Sequence, residues 1–193
     1  MQEKEKITLP KAELIRSELK RERNRIRYRR VIKSAIYALI IVAAVAALIA
    51  TLVLPVLQIS GESMEPTLNN GEIVVLVKTT KMDRGDLCGF SYNNKILIKR
   101  VIGLPGEVIN IDAAGTVYVN GEALDEPYLT GKSLGECDIE FPFTVPENEY
   151  FLLGDHRESS IDSRSSVIGC VKLEQIVGKI FWKIWPLSEF KFM

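Results

Sequence analysis

The sequence is poor in the residues that most often mark a metal centre or an imidazole relay. It holds 3 cysteines and 1 histidine in 193 residues, and Cys88, Cys137 and Cys170 match no zinc spacing. A serine hydroxyl needs a base, because its alkoxide is almost unpopulated near neutral pH. With His156 the single imidazole, a base must be sought among other residue types as well. Charge is missing from Ala35 to Leu57, and no Lys or Arg occurs between Lys33 and Lys78. No internal repeat or low-complexity stretch is visible. Past residue 60 no long stripe of period 3.6 occurs, apart from a short one at Leu173–Val177, which argues against a helical soluble part.

The uncharged run covers 23 residues. As a helix it would be roughly 34 Å long, the thickness of a bilayer's hydrocarbon core with slight tilt. A cleaved secretory leader is the competing reading, but its apolar core is shorter, about 7–15 residues, and ends in a small-residue cleavage site. Here the run continues into Ser60-Gly61-Glu62-Ser63, so an uncleaved anchor over 34–57 is expected. Pro55 stops or bends its outer end.

The formal net charge of zero hides an asymmetry. Residues 1–34 carry 12 Lys and Arg against 5 Asp and Glu, and the rest of the chain 13 against 20. Residues 11–33 read as a basic helix, with Leu14, Ile15, Leu19, Ile26 and Val31 scattered among Arg and Lys. A nucleic-acid partner is set aside, because a polybasic stretch beside an apolar span is accounted for by anionic lipid headgroups and the positive-inside rule. The segment 1–33 is expected in the cytoplasm and 58–193 on the other side.

About 135 residues after the span suffice for one domain with a core. Short strands are expected at Ile73–Val77, Leu87–Tyr92, Ile96–Ile102, Val108–Asp112, Thr116–Val119, Phe141–Val145, Tyr150–Leu153 and Ile168–Leu173. Turns fall at Asn93-Asn94 and at Asn120-Gly121, a strong hairpin signal. The fold class is therefore mainly β, an antiparallel sheet domain behind one N-terminal transmembrane helix. The closing run Phe181-Trp182-Lys183-Ile184-Trp185, with Phe190 and Phe192, suits either a membrane interface or a packed core.

Three boxes occur in order: Ser60-Gly61-Glu62-Ser63-Met64-Glu65-Pro66-Thr67-Leu68, Ile98-Lys99-Arg100-Val101-Ile102-Gly103-Leu104-Pro105-Gly106-Glu107, and Gly154-Asp155-His156-Arg157-Glu158-Ser159-Ser160-Ile161-Asp162-Ser163-Arg164. Together, behind an anchor, they resemble the boxes of bacterial type I signal peptidases, from the anchor through nearly all that follows. The resemblance implies a membrane-bound serine endopeptidase that removes signal peptides from exported preproteins, with Ser63 as nucleophile and Lys99 as general base. Lysine serves only when neutral, and burial is the means of lowering its pKa. Strand alternation sends Leu97 and Lys99 to one face and Ile96, Ile98 and Arg100 to the other.

Ser160 matches the serine whose hydroxyl holds the lysine amine. Asp155 with Arg100, and Asp162 with Arg164, resemble pairs that brace the site; exposed pairs add little stability, so these read as positioning devices. Some members have a serine at the position of Gly61 as an oxyanion donor, which leaves the second donor open beside the Ser63 N–H. By resemblance Leu57, Ile59, Met64, Leu68, Leu97 and Ile98 line pockets for Ala-x-Ala-like cleavage sites. No metal or other cofactor is implied, and proximity to the protein translocation machinery is. If a disulfide forms, Cys137 and Cys170 are the pair, the alternative being buried free thiols. His156 is the rival base. Two other readings stay open: a self-cleaving repressor with the same Ser–Lys pair, and a catalytically silent anchored β domain that binds a secretion partner.

Overall fold

The computed structural model describes residues 12–193, with side chains for residues 16–48 and 54–193. The first eleven residues of the basic segment, and the side chains of Leu14 and Ile15, lie outside the described residues. The chain divides into two compact units at Ala50/Thr51. A continuous helix α1 runs from Ala12 to Val53 and makes up the described part of the first unit. Its stretch Arg16–Leu48 is long and apolar enough to cross a membrane.

The helix ends four residues before the expected end of the anchor. Pro55 has no N–H to continue the ladder and disfavours a helical residue before it. The chain instead extends as β1 (Val56–Gln58), antiparallel to β2 (Ile73–Val77). The other strands of the second unit are β3 (Leu87–Tyr92), β4 (Lys95–Gly103), β5 (Val108–Ile111), β6 (Val117–Val119), β7 (Glu122–Ala123), β8 (Phe143–Thr144), β9 (Glu149–Leu153), β10 (Val171–Lys172), β11 (Ile176–Trp185) and β12 (Lys191–Phe192). The main sheet has the order β1-β2-β11-β3-β4-β9-β10, with β12 paired to β11, and a smaller sheet has the order β7-β6-β5-β8. Every pairing is antiparallel.

The expected turns stand at Asn93-Asn94 and Asn120-Gly121. Three expectations need correction, the first being that of Phe141–Val145 only Phe143–Thr144 is strand. Of Ile168–Leu173 only Val171–Lys172 is strand, and Leu173–Gln175 is a short 3₁₀ turn rather than part of a helix. The aromatic run near the C-terminus belongs to β11, ten residues long and paired to both β2 and β3. Its first half alternates as a strand should, but a bulge between Ile180 and Trp182 reverses the phase and turns Lys183 inward.

Three apolar clusters hold the unit together. One gathers Phe90, Val101 and Leu152, and one joins the two sheets through Ile102, Ile109, Phe151 and Leu153. The third lies under the first box, with Ile59, Met64, Leu68, Leu76 and Ile180. The three thiols are free, so no Cys137–Cys170 bridge is present, and burial pushes Cys88 and Cys170 up to about 12.

Candidate active site

Ser63 stands in a loop whose two ends are tied together. Ile59 N–H donates to the Glu72 carbonyl at 2.8 Å and Gly71 N–H to the Ile59 carbonyl at 2.9 Å, so residues 59 and 72 are locked side by side. Within the loop, tight turns bond Glu65 N–H to Glu62 O and Leu68 N–H to Met64 O, and Leu68 is fully buried beneath them. Leu68 is not among the residues that line the groove beside Ser63.

Lys99 comes from the middle of β4. The C-terminal half of this strand pairs with β9 at Arg100, Val101 and Gly103, whereas its N-terminal half pairs with β3 alone. Residues 95–99 therefore keep one unpaired edge, and beside them lies a cavity of about 280 Å³. Leu57, Ile59, Met64, Leu97 and Ile98 line it, together with Gln58, Ser60, Gly61 and Ile96. Ile96 was not singled out among the pocket residues in the sequence, although it shares a strand face with Ile98. A strand with a free edge presents residues of both faces to the groove. A second cavity of about 760 Å³, bounded by Arg100, Tyr128, Lys183 and Phe192, includes neither Ser63 nor Lys99.

In the wall of the 280 Å³ groove Lys99 Nζ lies 2.6 Å from Ser63 Oγ. Lys99 is only 4% exposed. Burial draws its pKa from 10.5 down to about 8; Asp162 and Asp155 oppose the change and Arg164 assists it. A substantial share of the amine is thus neutral at mildly alkaline pH, and in that state it accepts a hydrogen bond from the Ser63 hydroxyl.

The third box closes around the pair. His156 N–H donates to the Ser63 carbonyl at 3.1 Å. Gly154 is in such close contact that a Cβ there would lie 2.1 Å from Ser160 Oγ and 2.6 Å from the Ser63 carbonyl, so only glycine fits. Asp155 accepts from Arg100 Nε at 2.8 Å, and also from Arg100 Nη2 and the Thr67 hydroxyl. Thr67 accepts in turn from Arg100 Nη2 at 3.1 Å, so the Ser63 loop, the Lys99 strand and the third box meet at one carboxylate. Asp162 accepts from Arg164 Nε and Nη2, both at 2.8 Å, and from Gly154 N–H at 2.9 Å. These pairs are buried rather than surface pairs. Breaking one would leave an uncompensated buried charge, which makes them strong positioning elements.

One feature differs from the sequence reading, and two others decide points it left open. The Ser160 hydroxyl is buried but makes no hydrogen bond, to Lys99 or to any other group. The His156 ring bonds Ser159 Oγ through Nδ1 at 2.8 Å, and its backbone rather than its imidazole contacts Ser63. Gly61 has φ near +100° with open space where a Cβ would sit, and its N–H donates to Asn70 Oδ1 at 3.1 Å. Glycine adopts this left-handed backbone without strain, and its N–H is engaged by Asn70. Among the described residues no group of three or more His, Cys, Asp or Glu could hold a metal ion.

The class these features define is an antiparallel β protein with a serine hydroxyl and a buried lysine in contact at the mouth of an apolar groove. A family model described as "Signal peptidase, peptidase S26" matches residues 31–185, and the chain belongs to that family. Signal peptidase IB of Staphylococcus aureus (strain MRSA252) is 39% identical over 155 residues, covering 69% of this chain and 79% of that protein. Signal peptidase I S of Bacillus subtilis (strain 168) is 33% identical over 166 residues, 80% of this chain and 89% of the relative. A crystal structure of a signal peptidase I from Enterococcus faecalis V583 is similar at 34% identity, with a TM-score of 0.44, over 51% of this chain and 96% of that one.

Proposed function

We propose that the chain is a membrane-anchored serine endopeptidase that removes signal peptides from exported preproteins through a Ser63 acyl-enzyme. The observation that carries this reading is the 2.6 Å contact between the Ser63 hydroxyl and an amine excluded from water. Neutral Lys99 takes the hydroxyl proton as Oγ adds to the scissile carbonyl. The resulting ammonium then gives that proton to the departing amine, leaving an acyl-serine and a neutral lysine. The same amine next removes a proton from water, which attacks the ester and frees Ser63. The Ser63 N–H is one donor to the oxyanion.

The substrate lies extended in the groove, adding as a strand along the free edge of residues 95–99. The small volume there favours Ala-x-Ala-like cleavage sites. Asp155, Arg100, Asp162 and Arg164 hold the geometry, Ser160 packs against Gly154, and Gly61 lines the groove. Helix α1 anchors the enzyme in the plasma membrane with its basic end in the cytoplasm, against anionic headgroups. The groove then faces the outside, near the translocation machinery.

Cleavage of a preprotein in detergent by wild type and by Ser63→Ala, Lys99→Ala and His156→Ala tests the assignment. Loss of at least about a thousandfold in the first two is expected, with His156→Ala within about tenfold of wild type, because its ring takes no proton. Activity that survives Lys99→Ala but not His156→Ala would replace the base. Full activity in Ser63→Ala would mean another nucleophile, and no cleavage even by wild type would favour the silent binding domain.

A further inference from the structure

The segment between the two halves of the small sheet carries a feature that none of the three boxes contains. Glu126 is fully buried, and its carboxylate accepts from Arg157 Nη2, from Arg157 Nη1 at 3.2 Å and from the Tyr128 hydroxyl at 2.8 Å. Arg157 is equally buried, and its Nε donates to the Gly154 carbonyl at 3.0 Å. Gly154 is the residue pressed between Ser160 and the Ser63 carbonyl. Two residues beyond Glu126, the ring of Tyr128 lies under the other critical guanidinium, with Arg100 Cζ 3.9 Å from the ring centroid. Arg100 is the partner of Asp155.

We propose that Glu126-Pro127-Tyr128 is a positioning device for the Ser63–Lys99 pair: Glu126 fixes Arg157 behind Gly154, and Tyr128 fixes Arg100 against Asp155. The proposal rests on the assignment of Ser63 and Lys99 above. Its physical basis is that two guanidinium groups flank one dipeptide, Gly154-Asp155, and neither is fixed from its own box alone. Arg157 has no carboxylate within residues 154–164 in contact with it. Arg100 is bound to Asp155 and to the Gly85 carbonyl at its edge, while its face is held by an aromatic ring, an arrangement favoured by the ring quadrupole.

The consequence reaches the chemistry through charge. The groups acting on Lys99 are Asp162, Arg164 and Asp155, with Arg100 neutralising Asp155 from the far side and the Ser63 hydroxyl in direct contact. If Arg100 loosens, Asp155 acts on the amine with less compensation, and the ammonium becomes easier to form. The acid limb of the reaction then moves to higher pH, an effect that mere loss of packing would not produce.

The test uses the full chain in detergent with a preprotein substrate, comparing wild type, Tyr128→Phe, Tyr128→Leu and Ser63→Ala. Tyr128→Leu, with the ring removed, is expected to lower kcat about tenfold with KM within about twofold, as for a displaced catalytic group. The acid midpoint of kcat/KM should rise by about half a pH unit. Tyr128→Phe keeps the ring over Arg100 and should return the midpoint and most of kcat. A folded Tyr128→Leu with unchanged kcat and midpoint, or with a change in KM alone, overturns the proposal. If Tyr128→Leu does not fold, Glu126→Asp takes its place: it keeps the charge but shortens the reach, and an unaltered kcat again overturns the proposal. Activity in Ser63→Ala would instead strike the assignment on which the proposal rests, so the two failures are distinct.

Discussion

Two lysines in the main sheet are almost equally withdrawn from solvent, Lys99 at 4% and Lys183 at 6% exposure. Their surroundings drive them in opposite directions. Lys99 meets a hydroxyl, and burial lowers its pKa to about 8. For Lys183 burial also pulls downward, but Glu189 at 2.9 Å and Glu72 at 3.0 Å outweigh it and hold the group above its ordinary value. Burial alone therefore does not make a base. A buried lysine keeps a lowered pKa where its direct contact is a neutral hydroxyl and the nearby carboxylates are already committed to arginines, as Asp155 and Asp162 are. Lys183 instead joins the C-terminal turn to Glu72, whose carbonyl holds Ile59 at the root of the Ser63 loop.

The contrast is most strongly broken at Lys183. Lys183→Met leaves Glu72 buried without its cation and should cost about 3–5 kcal/mol, read as a lower urea midpoint. Adding Glu72→Leu should restore most of the loss, and a double variant as weak as the single one would contradict the account. The raised pKa of Lys183 means that its contribution is complete below the ordinary lysine range and is lost only as pH climbs beyond it.

For Lys99 the sign is reversed. In the proposed mechanism its reactive form is the neutral one, so cleavage should increase with pH through about 8. Between two units below that midpoint and the plateau the rate should change by about a hundredfold. A rate already flat from pH 6 upward would mean that a different group takes the proton.

The smallest effect concerns stability. Because the folded pKa of Lys99 lies below the unfolded one, the unfolded chain binds more protons between about pH 8 and 10.5. The lysine thus destabilises the fold at neutral pH, and less so as pH approaches 10.5. Lys99→Met should gain about 2 kcal/mol at pH 7, after allowance for the lost bond to Ser63. Thermal melts at pH 7 and 10 check this, and the gain should shrink at the higher pH. A dead but stabilised variant is the expected sign of a group kept for chemistry.

Much of this was legible before any fold was known. The uncharged run, the strand and turn signals and the order of the three boxes indicated a β unit behind an apolar helix, and singled out Ser63 and Lys99 as residues to bring together. The longest strand, β11, was not recognised, since Phe181-Trp182-Lys183-Ile184-Trp185 reads equally well as a membrane-facing aromatic stretch. Its inward lysine was hidden further by the bulge after Ile180, which inverts the alternation on which a sequence argument depends. Glu126 and Tyr128 left no local signal at all. They sit in a loop without periodicity, and their partners are 31 residues onward at Arg157 and 28 residues back at Arg100.

The sequence by itself determined where the chain becomes apolar, which segments extend and which side chains carry hydroxyl, amine and carboxylate, because those depend on residue type and near neighbours. Only the tertiary structure decided which lysine loses its proton readily, which carboxylates are already neutralised and which groups touch Ser63. Those properties depend on water exclusion and on distances between residues far apart in the chain, and a pKa is set by what surrounds the group in space.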